Sequence, residues 1–431
     1  MNKTASIGLL VILIMMGCHQ IEEEYETQTL IQSTEFTSKQ IEEILTLSPV
    51  PPLPDNPHNQ YADQPAAALL GQFLFFETRL SENNQISCAS CHSPEQDWTD
   101  GKIVSEGLET VTRNSPTLFN LAHNRWYFWD GRKDSLWSQS LGPIENNKEM
   151  GGSRVAAYHL IAEDNTLLAA YTKVFGEIPR LASDQVLRTG FPNAKTPEGP
   201  ENRAWNSLNK TDQETVNTVF ANIGKSIEAF ERLIVSKDSP FDHFVADLRT
   251  GQQGNNTSLT ESAVRGLKLF IDRGQCTFCH AGPNLTDLEF HNIGLDRGVI
   301  GLDTGRFEAV KKVKRDPFNG LGAFSDDRSI ESNKSLFFLA QKPNNLGEFK
   351  TPTLRNIART GPYMHDGRFE TLQDVVHFYS ELDQTPALGH REETLQPLAL
   401  TEDETNDLIE FLKSLTGKPL DPSLLSKPSS L

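Results

Sequence analysis

Positive charge is what this chain has too little of. Its 431 residues carry 40 Lys and Arg against 58 Asp and Glu, a formal net charge of −18 at pH 7. Nucleic-acid binding needs a basic face to meet the phosphates, so that class of function is excluded. An acidic surface suits plain solubility, or a basic protein partner. Cysteine is scarce as well: there are 5, and four of them fall in two short motifs, which leaves no framework for disulfides. The apolar run from Ile7 to Met16 is too short for a comfortable membrane span. Strand signals are few, so a mainly α fold is expected. Apolar residues, in contrast, reach 37% with 24 Phe, enough for a substantial core in two or three domains. The 29 Gly and 24 Pro point to long loops between helices.

The N-terminus accounts for the fifth cysteine. Asn2-Lys3 gives a short positive start, the apolar run follows, and then comes Met15-Met16-Gly17-Cys18. This resembles a bacterial lipoprotein signal, in which cleavage before Cys18 leaves a thiol for a lipid. Met15 stands where such signals prefer Leu, and an ordinary secretory peptide is the alternative. Either way the chain is exported, so a periplasmic location is expected. Gln20, in place of the Asp that marks inner-membrane retention, favours anchoring to the outer membrane. Residues 19–61 read as an acidic, proline-rich tether containing Pro49, Pro51, Pro52, Pro54 and Pro57.

Two stretches then say the same thing twice: Cys88-Ala89-Ser90-Cys91-His92 and Cys276-Thr277-Phe278-Cys279-His280. Each reads C-x-x-C-H, the attachment signature of a c-type haem. Two thiols three positions apart share one side of a helical turn and can add to both vinyl groups of one porphyrin. The adjacent histidine then supplies the proximal nitrogen to the iron. Half of a zinc site is the alternative, but zinc sites pair one C-x-x-C with a distant second pair and need no adjacent His.

The motifs sit in a large internal repeat. Gly71-Gln72-Phe73-Leu74-Phe75-Phe76 precedes the first, and Gly266-Leu267-Lys268-Leu269-Phe270-Ile271 the second. Each predicts an amphipathic helix ahead of its haem. The fold expected is therefore two tandem cytochrome c-like domains, 62–250 and 251–420, with a linker at 251–256 and a tail at 421–431. Val216, Val219, Phe220, Ile223, Ile227 and Phe230 recur at helical spacing and predict a buried face. Thr401 with Glu404 forms a capping box opening a closing helix.

Between and after the motifs the chain resembles the bacterial di-haem cytochrome c peroxidase family, which includes MauG. The residues are Arg113-Asn114-Ser115-Pro116-Thr117-Leu118, Trp129-Asp130-Gly131-Arg132, Leu141-Gly142-Pro143-Ile144-Glu145 and Glu149-Met150-Gly151. After the second haem come Thr351-Pro352-Thr353-Leu354-Arg355-Asn356 and Thr360-Gly361-Pro362-Tyr363-Met364-His365-Asp366-Gly367. As an ordered set spanning about residues 62–418 they are very specific.

The resemblance implies peroxide chemistry at the N-terminal haem and electron entry through the C-terminal one. Its partners would be hydrogen peroxide and a small redox protein such as cytochrome c or a cupredoxin, and it admits a homodimer. It implies a calcium ion between the domains, with Asn114, Thr360 and Pro362 as ligands; as bland readings these are turn residues. It places the sixth ligand of the C-terminal haem at Tyr379, seven residues after Leu372, with Met364 as the alternative. Phenolate favours ferric iron, whereas a thioether raises the potential.

The chain departs from the family pattern in three places. Tyr127 stands where many members carry Gln, and Trp137 where the notable Glu of Leu-Glu-x-Gln is expected. Glu145 or Glu149 could supply that acid instead; the bland alternatives are a helix cap and a surface charge. Position 108, where a His would close the N-terminal iron, is Leu. The resemblance thus implies an open N-terminal iron and a peroxide-using oxidoreductase. The rival reading is a non-catalytic di-haem electron-transfer cytochrome. Trp126, Trp129 and Trp137 are candidate relays between the haems.

Overall fold

The computed structural model describes residues 36–182, 187–193, 195–250, 258–299 and 301–431. The expected lipidation site Cys18 and the expected linker at 251–256 lie outside those residues. Among them, no helix is long and apolar enough to cross a membrane.

Helix α1 (Ser38–Thr46) opens the described chain. The first core is built by α2 (Pro65–Phe75), α3 (Leu136–Ile144) and α4 (Lys210–Glu231). The second is built by α5 (Glu261–Ile271), α6 (Leu372–Glu381) and α7 (Glu402–Lys413). Among the described residues strand is confined to two-residue segments, β1 (Phe290–His291), β2 (Arg297–Gly298), β3 (Gly301–Leu302) and β4 (Phe349–Lys350), with β1 paired to β4 and β2 to β3. The mainly α expectation therefore holds.

The repeat is a repeat of helix crossings. Gly71 of α2 lies so close to α4 that a Cβ there would run into the Ser226 carbonyl; Gly266 of α5 meets the Asp407 carbonyl of α7 in the same way. The missing side chain lets each pair of backbones touch, and the apolar residues beside each glycine fill the space around the crossing. Leu70, Leu74 and Phe75 pack with Val216, Phe220, Ile223, Ile227 and Phe230 in the first core, as the spacing of those α4 residues predicts. Leu267, Phe270 and Ile271 pack with Leu408, Phe411 and Leu412 in the second. The predicted cap of α7 is formed, with Glu404 N donating to Thr401 Oγ1 at 3.2 Å and Thr401 N donating to Glu404 Oε2 at 2.9 Å.

Three segments cross between the cores and correct the sequence reading. The end of the supposed tether is folded: α1 carries Ile41, Ile44 and Leu45 on one face, and Phe36, Ile44 and Leu47 join the second core. The chain then crosses to the first half, where Asn56 and Asn59 donate to the Glu228 carboxylate at 2.6 and 2.8 Å. An acidic composition hid the helical spacing of a few apolar residues. The C-terminal tail also docks. Gln72 donates to the carbonyls of Ser423 and Ser426 at 2.6 and 2.8 Å, and Lys427 pairs with Glu77 at 2.9 Å. Finally Phe318 and Phe324, from the second half of the sequence, pack into the first core, where Phe318 meets the Trp137 ring edge-on at 6.3 Å.

Candidate active site

Both C-x-x-C-H motifs fold into one tight turn. His92 N donates to the Cys88 carbonyl at 2.9 Å and His280 N to the Cys276 carbonyl at 2.8 Å. Among the described residues the four motif cysteines form no disulfide, so both thiol pairs are left for covalent attachment. Each histidine is held by its inner nitrogen: His92 Nδ1 lies 3.1 Å from the Trp98 carbonyl, and His280 Nδ1 lies 3.0 Å from the Leu285 carbonyl. That bond fixes the tautomer and leaves Nε2 as the coordinating atom. Burial pushes both imidazole pKa values down, which keeps them neutral, as a metal ligand must be. The donor set fits two covalent haems.

The two histidines line one continuous cavity of about 820 Å³ to which both halves contribute. The repeat continues around it. Tyr127 bridges to Lys133 and Tyr363 to Phe369. Phe128 and Met364 adopt φ of 63° and 72°, and Gly131 and Gly367 both adopt 66°. The halves are then cross-linked by a reciprocal pair of backbone bonds. Asn114 N donates to the His365 carbonyl at 2.9 Å, and Lys350 N donates to the Trp129 carbonyl at 2.8 Å. Trp129 lines the cavity and its indole donates to the Asn114 carbonyl at 3.0 Å. Trp126 lies instead beneath the Arg306 guanidinium at 4.3 Å, and Trp137 is fully buried in the first core. Of the three candidate relays, Trp129 is the one at the cavity wall.

Helices α3 and α6 are equivalent, and their comparison exposes a feature that sequence reasoning missed. Each begins with Leu, at 136 and 372; seven positions on stand Pro143 and Tyr379, and both line the cavity. Proline offers no side-chain ligand, whereas tyrosine offers a phenol. The Tyr379 hydroxyl has no hydrogen-bond partner among the described residues, and its acidity is held down by burial and by the nearby motif thiols. Met364 also lines the cavity and packs in one apolar cluster with Tyr379, Leu295, Phe378 and Leu382. Both expected ligands thus stand at the C-terminal site.

On the N-terminal side the structure separates the two candidate acids. Glu145 is gripped by Arg154, whose Nε and Nη2 each lie 2.7 Å from its carboxylate oxygens, and it does not line the cavity. The expectation that Glu145 serves catalysis is corrected: its carboxylate is consumed by a buried ion pair. Glu149 does line the cavity and accepts from Asn146 Nδ2 at 2.7 Å. Burial raises its pKa, while the Arg132 charge pulls it back. A surface charge is therefore the wrong description of it. Trp137, which replaces the expected Glu, points into the core, so its position is not a cavity position in this chain. Gln139, Pro143 and Asn146 line the wall beside Glu149. The loop bearing Leu108 is pinned to the same segment, with Leu108 N on the Glu149 carbonyl at 2.9 Å and Glu109 N on the Lys148 carbonyl at 3.0 Å.

Asn114, from the first half, and Thr360 and Pro362, from the second, also line the cavity. The Asn114 amide donates to the Lys102 carbonyl at 2.8 Å, which turns its oxygen to the other side. Oxygen donors of this kind fit a hard cation.

A family model described as di-haem cytochrome c peroxidase matches residues 65–250. The chain is 31% identical over 396 residues to the cytochrome-c peroxidase IdrP1 of Denitromonas iodatirespirans, covering 88% of this chain and 89% of the relative. It is 30% identical over 358 residues to the methylamine utilization protein MauG of Methylophilus methylotrophus, covering 82% and 83%. Among solved structures, it resembles a MauG-like protein associated with microbial copper homeostasis, with a TM-score of 0.61 at 26% identity over 88% of this chain and 98% of that one. The diheme peroxidase BthA of Burkholderia thailandensis shares the fold with a TM-score of 0.58 at 22% identity, over 89% and 94% of the two chains. With paired C-x-x-C-H turns on one cavity and relatives of this identity over most of its length, the chain belongs to the di-haem cytochrome c peroxidase family, which includes MauG.

Proposed function

We infer that this protein is a di-haem c-type oxidoreductase that reduces hydrogen peroxide with electrons from a protein donor, or turns peroxide's oxidising power on a partner protein. The observation that carries the reading is the asymmetry of an otherwise repeated cavity: Pro143 with Glu149 on one side, Tyr379 on the other. When bound, two haems would supply the redox chemistry, passing two electrons to peroxide that the protein donor replaces. His92 and His280, each with Nδ1 engaged by a backbone carbonyl, would hold the irons. Pro143 leaves room for peroxide, and Glu149 takes a proton from one peroxide oxygen and returns it to the other as the O–O bond breaks. Asn146 keeps that carboxyl oriented through its 2.7 Å bond, and Gln139 stands in the same wall. Trp129, whose carbonyl accepts from Lys350 N, stands at the junction of the halves.

The rival reading, a non-catalytic electron-transfer cytochrome, drew its support from the missing Glu beside Leu136; Glu149 in the cavity wall removes that support. Steady-state oxidation of a reduced cytochrome c or cupredoxin by peroxide tests the choice. The expected result is turnover that starts from the fully oxidised protein with no activating half-reduction. Electron exchange with the donor but no peroxide consumption would establish the rival.

We also propose that Asn114, with the backbone carbonyls of Thr360 and Pro362, binds calcium and stiffens the junction between halves. Elemental analysis should find one calcium per chain. Chelation should lower thermal stability: at calcium one hundred times its Kd, a bound ion contributes about 2.7 kcal/mol. No calcium, with a melting transition indifferent to chelator, removes the site.

A further inference from the structure

The cavity wall carries cations, and most are already answered. Arg113 meets Asp303 at 2.8 Å and Asp130 at 2.7 Å, Arg132 meets Asp130 at 2.9 Å, and Lys148 meets Glu109 at 3.3 Å. Arg273 is paired with Glu404. Lys350 differs. It lines the cavity from β4, and among the described residues its Nζ has a single partner, the Thr351 carbonyl at 3.3 Å. No described carboxylate lies within ion-pair distance of it. Asp287, the carboxylate whose charge acts on it, is committed elsewhere: one oxygen to His291 Nε2 at 2.7 Å and the other to Glu289 N at 3.0 Å. Among the described residues Lys195 and Lys312 also lack an ion-pair partner, but Lys195 is exposed and Lys312 sits in the shared field of Asp130 and Asp303.

Place in the fold says which haem Lys350 serves. Its strand pairs with β1, putting Phe290 opposite Lys350. The turn just before β1 is tied to the second motif, with Asp287 N on the Cys279 carbonyl at 2.8 Å. Thr351 is bonded to Glu289 and Thr286 at 3.0 and 2.7 Å, and Pro352 beyond it faces His280. Lys350 is also the repeat partner of Asn114, since the two peptide N–H groups make the reciprocal bonds that join the halves. A neutral amide on one side is thus matched by an ammonium on the other. Burial lowers the Lys350 pKa to about 8, and the Asp287 charge only partly offsets it.

We propose that the Lys350 ammonium is the built-in counter-cation for a carboxylate of the C-terminal haem, and that its charge holds that haem's potential up. The inference rests on the two-haem reading given above. A fixed positive charge in a low-dielectric cavity favours the reduced iron, which carries one less positive charge. Phenol ligation pulls the other way by favouring ferric iron. Lys350 would then offset Tyr379 and keep the C-terminal haem reducible by its donor. It is a positioning and tuning residue, not one that touches peroxide.

The test is a spectroelectrochemical titration of the intact two-haem protein, with no peroxide present, for wild type, Lys350→Met and Lys350→Arg. In Lys350→Met the ferrous-to-ferric ratio of the C-terminal haem at a fixed potential should fall about tenfold, or 59 mV for one electron. Lys350→Arg, which keeps the charge, should stay within about threefold of wild type on the same scale, and the N-terminal haem should move less than the C-terminal one. Unchanged potentials in Lys350→Met overturn the proposal. So do equal shifts in the Met and Arg variants, since those report lost packing and not lost charge. If the Met variant fails to mature, Lys350→Gln provides the same comparison. Wild-type peroxide turnover is read separately, so failure of the functional reading remains distinguishable from failure of this one.

Discussion

Glu149→Gln should slow the reaction of the oxidised protein with hydrogen peroxide by about 10²–10⁴-fold, the usual contribution of a positioned proton-transfer group. The amide keeps the shape and the contact with Asn146 but cannot carry the proton between the peroxide oxygens. Stopped-flow mixing with peroxide measures the step directly, before any donor is involved. The pH dependence supplies a second signature. Burial raises the Glu149 pKa, so the acid limb of the rate profile should lie above the ordinary carboxylate range, and it should vanish in Glu149→Gln. The sign for stability follows from linkage. A carboxyl whose folded pKa is raised favours the native state most at low pH, and that advantage is lost as pH rises through the folded pKa. The Gln variant should therefore fold at least as well as wild type at neutral pH, separating lost chemistry from lost structure. Glu145→Gln is the opposite control. It breaks the Arg154 pair and leaves a buried guanidinium unanswered, so it should cost stability, on the order of 3–5 kcal/mol, with little change in the peroxide step of the folded fraction. Equal rates in wild type and Glu149→Gln would remove Glu149 from the chemistry.

Why the sequence could name both acids but not choose between them is a matter of distance along the chain. Glu145 and Glu149 stand in the same polar stretch after α3, and nothing local distinguishes them. The choice is made by Arg154, a buried residue that opens the next helix and closes on Glu145. Trp137 was misleading for a similar reason. Its ring is drawn into the first core by Phe318, which arrives from the second half of the sequence. By contrast, the haem turns were fully legible, because the chemistry of two thiols and one imidazole is contained in five consecutive residues. The helix ahead of each haem was legible through its repeated apolar residues; that Gly71 and Gly266 let α4 and α7 touch those helices was not, because the partner backbones come from far along the chain. The ends of the chain were not. Helix α1 and the C-terminal tail have modest apolar content, and what orders them is the partner surface: the second core for Leu47, and Gln72 with Glu77 for the tail.

Tyr379 should decide the character of the second iron, and its replacement should have the largest spectroscopic effect. The resting oxidised protein should show one high-spin and one low-spin ferric signal by electron paramagnetic resonance. The high-spin signal belongs to the His92 side, where Pro143 occupies the repeat position of the ligand and the Leu108 loop is docked on Glu149 with no histidine to offer. The low-spin signal belongs to the His280 side. In Tyr379→Phe the phenol is lost and the low-spin signal should change, either to high spin or to the signature of a thioether if Met364 moves in from the same cluster. In Tyr379→Met the C-terminal potential should rise by on the order of 0.1 V or more, within the ~0.8 V span that axial ligands control. The physical reason is charge: a phenolate stabilises ferric iron, and a neutral sulfur does not. Fast reaction with peroxide should survive both changes, because Glu149 and the open side are untouched. What should suffer is the sharing of oxidising equivalents between the haems, since a raised C-terminal potential makes that iron harder to oxidise. An unchanged C-terminal spectrum in Tyr379→Phe would assign the ligand to Met364. Two low-spin signals in the resting wild type would mean that the N-terminal iron is closed, and peroxide would then have to wait for a conformational change at the Leu108 loop.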